Sequence, residues 1–156
     1  MLIFRPENEI NFEKKYRYAY AVPLISSKPF QTGFSRRISI NNDQMKRGYL
    51  NRYQSDPIEN EKVYLFKSLL NEYFLNFKVR ETPSEQCDPK IISKNLQKVK
   101  SSIFSYIIPE IKSYGKSLIF LIPDLSKELL GIDEFEIDNL LINCFQETDY
   151  LCIVMI

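Results

Sequence analysis

The chain has 156 residues, with 21 Lys/Arg against 20 Asp/Glu, no histidine, and a hydrophobic share of 44%. That length predicts one domain over residues 1–156, and the apolar share excludes wholesale disorder. A net charge of +1 excludes polyanion binding by bulk charge, and the missing imidazole excludes His-based triads and most zinc sites.

No apolar run reaches the roughly 20 residues a membrane-spanning helix needs. The opening MLIFRPENEINFEKK lacks the pattern of a secretory leader. Cys87, Cys144 and Cys152 are odd in number and show no CxxC spacing, which predicts buried free thiols, a reducing compartment and a cytoplasmic location.

Leu2 to Phe4 reads as a short strand. In YRYAYAVPL, Tyr16, Tyr18, Tyr20, Val22 and Leu24 alternate with Arg17, Ala19, Ala21 and Pro23, the period of a strand. Pro23 cannot donate to a ladder, so this end should lie at an edge or a bulge. SSKPFQTG reads as a loop, and Phe34, Ile38 and Ile40 suggest a second strand, antiparallel to the first. On that strand Arg36 and Arg37 would point to opposite faces. Asn41 to Gln54 shows no clean period and reads as a loop or a loop with a short helix.

Asp56, Pro57 and Glu59 carry the signals of a helix start, and Phe66, Leu69, Leu70, Tyr73 and Phe77 follow at helical spacing. Asp88 and Pro89 begin another helix, striped by Ile92, Leu96, Val99, Ile103 and Ile107. Pro109 should kink or end it near Ile107, and Gly115 should close the helical region. SLIFLIP reads as a strand buried on both faces. A short helix over Asp124 to Leu130 stops at Gly131. Asp133 caps an amphipathic helix, and YLCIVMI is a last buried strand. The expectation is a single α/β domain of mixed α+β type. It has a mixed sheet with antiparallel N-terminal strands, a central helical region, and a C-terminal parallel strand-helix-strand unit.

Catalytic motifs are sparse. Gly115-Lys116-Ser117 resembles the end of a phosphate-binding loop. However, it precedes a strand, and Glu110 stands where the earlier glycine belongs. Asp124 with Glu110-x-Lys112 resembles the acid pairs of metal-dependent nucleases, in reversed order. Tyr16, Tyr18 and Tyr20 beside Lys14, Lys15 and Arg17 could stack bases, but core packing explains them more simply. No cofactor, metal or catalytic residue is expected.

Charge is uneven along the chain. Met1 to Gln54 holds ten Lys/Arg and four Asp/Glu, a local charge of +6. Pro123 to Ile156 holds Lys127 against eight acids, a local charge of −7. The residues between carry ten cations and eight acids, or +2, and the three parts sum to +1. The leading expectation is a noncatalytic protein-binding module. It would be an immunity- or antitoxin-type protein whose Glu134, Glu136, Asp138 and Asp149 dock a basic toxin domain. The alternatives are a nucleic-acid accessory using Arg36, Arg37, Lys46, Arg47 and Arg52, or a histidine-independent metal enzyme. A protein partner is expected, nucleic acid is second choice, and no membrane is expected.

Overall fold

Tyr16–Ile25 form a central strand, β2, in a computed structural model that describes residues 1–128 and 130–156. The others are β1 (Leu2–Arg5), β3 (Tyr64–Lys67), β4 (Tyr73–Arg80), β5 (Ser117–Pro123) and β6 (Leu151–Met155). They make one six-stranded sheet in the order β1-β6-β5-β2-β4-β3. Only β3 runs antiparallel, against β4; every other neighbouring pair is parallel. The expected mixed α/β domain is what forms.

The alternation in β2 sorts its side chains between two layers. Tyr18, Tyr20, Val22 and Leu24 pack with Phe34, Met45 and Tyr49. Those three come from α1 (Gly33–Ile40) and α2 (Asp43–Arg52). Ala19 and Ala21 face the other layer, with α3 (Pro89–Ser102) and α5 (Glu134–Phe145). The small alanines let those helices approach, and the tyrosines fill the opposite side. The tyrosines therefore build core and offer no stacking platform.

Local signals located several helix ends. The Asp88 carboxylate accepts from Lys90 N at 2.9 Å, with Pro89 opening α3. Asp133 does the same for Phe135 N at 2.7 Å at the start of α5. After α3, the backbone widens into a π turn over Ile103–Ile107 before α4 (Ile108–Ser113). Pro109 has no N–H and would clash with the preceding turn, so the break falls where its ring requires. Gly115, at φ +67°, closes α4: its N–H donates to Lys112 O and Lys116 N–H to Ile111 O. That pairing is a Schellman ending, so Gly115-Lys116-Ser117 closes a helix, whereas a phosphate-binding loop opens one.

Three elements differ from expectation. Phe34 to Ile40 is the helix α1, not a strand. Its buried positions are Phe34, Ser35 and Ser39, whereas Ile40 is exposed, so the Ile38/Ile40 alternation misleads. Asp56 starts no helix. The apolar residues from 64 to 80 form the β3-β4 hairpin, in which Tyr73, Leu75, Phe77 and Val79 face one layer. Aromatic and β-branched residues fit this doubly buried strand, and tertiary packing overrides the helical spacing. Asn71, at φ +60°, takes the left-handed position of the turn, and Ser68 Oγ accepts from Leu70 N and Glu72 N. The predicted helix over Asp124 to Leu130 is a 3-10 turn at Leu125–Glu128; Leu129 lies outside the described residues.

Candidate functional site

β2 and β5 are adjacent and parallel, but their ladder ends at Tyr20 and Leu121. Pro23 follows on β2, and the β2-β4 register shifts between Leu24 and Ile25. Beyond Tyr20 the two strands separate. The connection after β2 then leads to α1 on one face, and the one after β5 leads to α5 on the other. Such a switch in direction at the carboxyl ends of parallel strands leaves a crevice where ligands bind in open α/β sheets.

A cleft of about 660 Å³ occupies that position. This is within the usual range for a small-molecule site. Its walls are the start of α1 (Gln31 to Arg37), the segment after β5 (Asp124, Lys127, Glu128), Glu7, and the ends of β5 and β6. The loop before α1 is anchored by Phe30, which is buried against Tyr49 with ring centroids 5.3 Å apart and holds a left-handed φ of +62°. Backbone strain of this kind persists only where packing enforces it.

The cleft is electrostatically mixed. Arg36 and Arg37 lie side by side on α1, and both line it. The helix brings together two arginines that a strand would have separated. Arg37 pairs with Glu7 at 3.2 Å and stands 5.3 Å from the Phe34 ring. Asp124 accepts from Ser126 N at 3.1 Å and Ser126 Oγ at 2.5 Å, with Lys127 at 3.9 Å. Thr32 precedes α1 without capping it through its side chain. Instead the Glu128 carboxylate accepts from Phe34 N at 3.0 Å. Burial raises the Glu128 pKa above the ordinary carboxylate value. The Phe34 hydrogen bond and the charges of Arg37 and Arg80 act in the opposite direction.

The other residues singled out from sequence lie elsewhere. Lys46, Arg47 and Arg52 are on α2, with Arg47 tied to Asp43 at 2.6 Å. Glu134 and Glu136 open α5 and are exposed. Asp138 follows, its pKa raised by burial and then by the charge of Asp124, so it sits toward the cleft end. Asp149 is at the far end of α5, which at 1.5 Å per residue is about 18 Å long. There it borders a second cavity of about 460 Å³ with Lys100, Phe104 and Tyr150.

Glu110 is paired with Lys67 beyond the amino end of β5, whereas Asp124 stands past its carboxyl end, about 20 Å of strand away. The nuclease-like acid pair is therefore not assembled. Among the described residues, no group of three His, Cys, Asp or Glu could hold a metal. All three cysteines are free and buried, and burial pushes Cys144 up to about 12 and Cys152 up to about 11. No helix among the described residues is long and apolar enough to cross a membrane.

Solved structures that share this mixed sheet flanked by helices on both faces include macrodomains. The chain superposes on the macrodomain of Thermus aquaticus DarG with a TM-score of 0.76 and 11% identity, over 100% of this chain and 98% of that one. For the macrodomain of Mycobacterium tuberculosis DarG the TM-score is 0.73 at 12% identity, over 99% and 97%. For Thermosipho africanus DarTG in complex with ADP-ribose it is 0.68 at 17% identity, over 88% of this chain and 38% of that chain. At such identities the likeness is one of fold. The sequence matches no protein-family model and no curated protein.

These likenesses correct the functional expectation. An immunity- or antitoxin-type protein that occludes a toxin is not supported, because solved structures of like fold are macrodomains, and one of them, Thermosipho africanus DarTG, is in complex with ADP-ribose. The two alternatives are not favoured either. Of the five basic residues, Arg36 and Arg37 line the cleft and Lys46, Arg47 and Arg52 lie on α2, and the metal-enzyme reading has no group of three ligands behind it among the described residues. Gly33 and Glu128 carried no local sequence signal, since the Phe34–Glu128 hydrogen bond beside Gly33 spans 94 residues of chain.

Proposed function

We propose that this chain is an ADP-ribose-binding module and that the cleft between α1 and the segment after β5 is its site. The observation that carries the proposal is the position of that cleft, at the strand carboxyl ends of a fold shared with a structure holding ADP-ribose. Its lining suits the ligand's chemistry. Arg36, Arg37 and Lys127 offer cations to a diphosphate, and α1 directs its amino end into the cleft. Phe34, Pro123 and Met155 offer apolar surface to a ring, and Glu7 and Asp124 offer acceptors to hydroxyl or amino groups.

The proposal is for binding, and no chemical step is assigned. A protein partner belongs to it as the carrier of an ADP-ribosyl group. Glu134, Glu136 and Asp138, which open α5 near the cleft, would meet that carrier. The three free cysteines agree with a cytoplasmic setting.

Titration calorimetry tests the reading. ADP-ribose should bind once per chain, and ribose should not bind. Reversing Arg36 and Lys127 together to Glu should weaken ADP-ribose at least tenfold, since each charged hydrogen bond contributes about 1.5–3 kcal/mol. An absence of ADP-ribose binding up to millimolar concentration would falsify the proposal.

A further inference from the structure

We propose that Glu128 is a displaceable plug of this cleft: its carboxylate holds the place at the start of α1 that a ligand's diphosphate would take, and binding requires it to leave. The ligand's identity rests on the ADP-ribose reading; the plug itself requires only an anion.

Three observations converge on Glu128. Its Oε1 accepts the Phe34 N–H, a donor at the amino end of α1 that the preceding Thr32 side chain leaves uncapped. Gly33 holds φ +62° and has no Cβ, and a methyl built there would overlap Glu128 Oε2. The backbone at this point is therefore open to the close approach of an anionic group, and Glu128 is the one that has entered. The same side chain also stands between two cavities. The main cleft of about 660 Å³ and a smaller one of about 230 Å³ share Thr32, Gly33, Lys127 and Glu128 as walls. The smaller cavity continues toward Ile25 and Arg80, at the ends of β2 and β4. Moving Glu128 aside would join the two into one trough across the sheet's carboxyl edge, suited to an elongated ligand.

The plug is held by opposing forces. Arg37 from α1 and Arg80 from β4 attract it, Asp124 repels it, and Lys127 is its neighbour in sequence. Partial burial disfavours its charge. A ligand diphosphate brings a competing anion to the same N–H and the same two arginines. Ionised Glu128 opposes that anion, and protonated Glu128 does not. As pH falls through the raised pKa of Glu128, the neutral form grows and anion binding should strengthen.

The test compares wild type with Glu128→Gln, using ADP-ribose and inorganic pyrophosphate as separate probes from about pH 8 down to about pH 5. Glutamine keeps an oxygen acceptor for Phe34 N–H, so the fold should be retained, as thermal unfolding would verify. The variant should bind both probes at least tenfold more tightly at neutral pH. Wild-type affinity for ADP-ribose should climb on acidification, while that of the variant stays flat. The Phe34 amide resonance should move when wild type is loaded, because its acceptor changes. Equal or weaker binding by the variant would overturn the plug and leave the ADP-ribose reading standing. Tighter pyrophosphate binding without any ADP-ribose binding would support the plug and overturn that reading. A folded Glu128→Gln protein that binds neither probe would overturn the plug.

Discussion

Phe34 and Glu128 meet across 94 residues of chain, with Gly33 beside them, and the contact shapes the cleft wall at the scale of single residues. Gly33 serves two needs there, a left-handed φ and an absent Cβ. Gly33→Ala should therefore cost roughly 1–2 kcal/mol in backbone strain. It should also expel the flexible end of Glu128 from Phe34. Chemical denaturation would measure the first effect and the Phe34 amide shift the second. Unchanged stability would contradict this account of Gly33. Arg36 and Arg37 were visible in sequence as cations, but their partnership was not, because a strand would part them and a helix joins them. Glu128 was invisible as a site residue, since nothing local distinguishes a carboxylate that caps a distant helix from one in solvent.

At the scale of elements, the sequence was most informative where one side chain acts on its own backbone. Asp88 and Asp133 cap α3 and α5 as their spacing predicts, and Gly115 ends α4. Removing one such cap has a known cost: Asp88→Ala should lower stability by about 1 kcal/mol, read by urea unfolding. No change would mean that α3 is held by packing alone. Legibility failed where two periods coincide. Residues 64–80 satisfy helical spacing, yet in the fold they form a hairpin whose second strand, β4, is buried on both sides. The local evidence against a helix was Ser68 with Asn71, a turn pair set between two apolar runs. α1 was misread for the opposite reason. Its buried serines, Ser35 and Ser39, face the interior where an apolar stripe would be sought.

Over the whole molecule, part of the charge asymmetry meets at one cleft, where Arg36 and Arg37 line one wall and Asp124 and Glu128 another. The basic α1 and the acidic segment after β5 face each other there, linked through Glu128 at Phe34 and bordered by Glu7 at Arg37. The strand pattern made the mixed α/β class legible, including the closing parallel unit of β5, α5 and β6. What sequence could not convey was that β2 stands at the centre of a largely parallel sheet, because strand order depends on long-range pairing. That order creates the switch point at which the candidate cleft lies. The most direct test of the central claim is an amide-resolved NMR titration of the full chain with ADP-ribose. The predicted result is saturable shifts concentrated in residues 30–37 and in the segment after β5 around Asp124, Lys127 and Glu128. Shifts confined to the opposite end of the sheet, around Phe104, Lys112 and Tyr150, or no shifts at millimolar ligand, would contradict it.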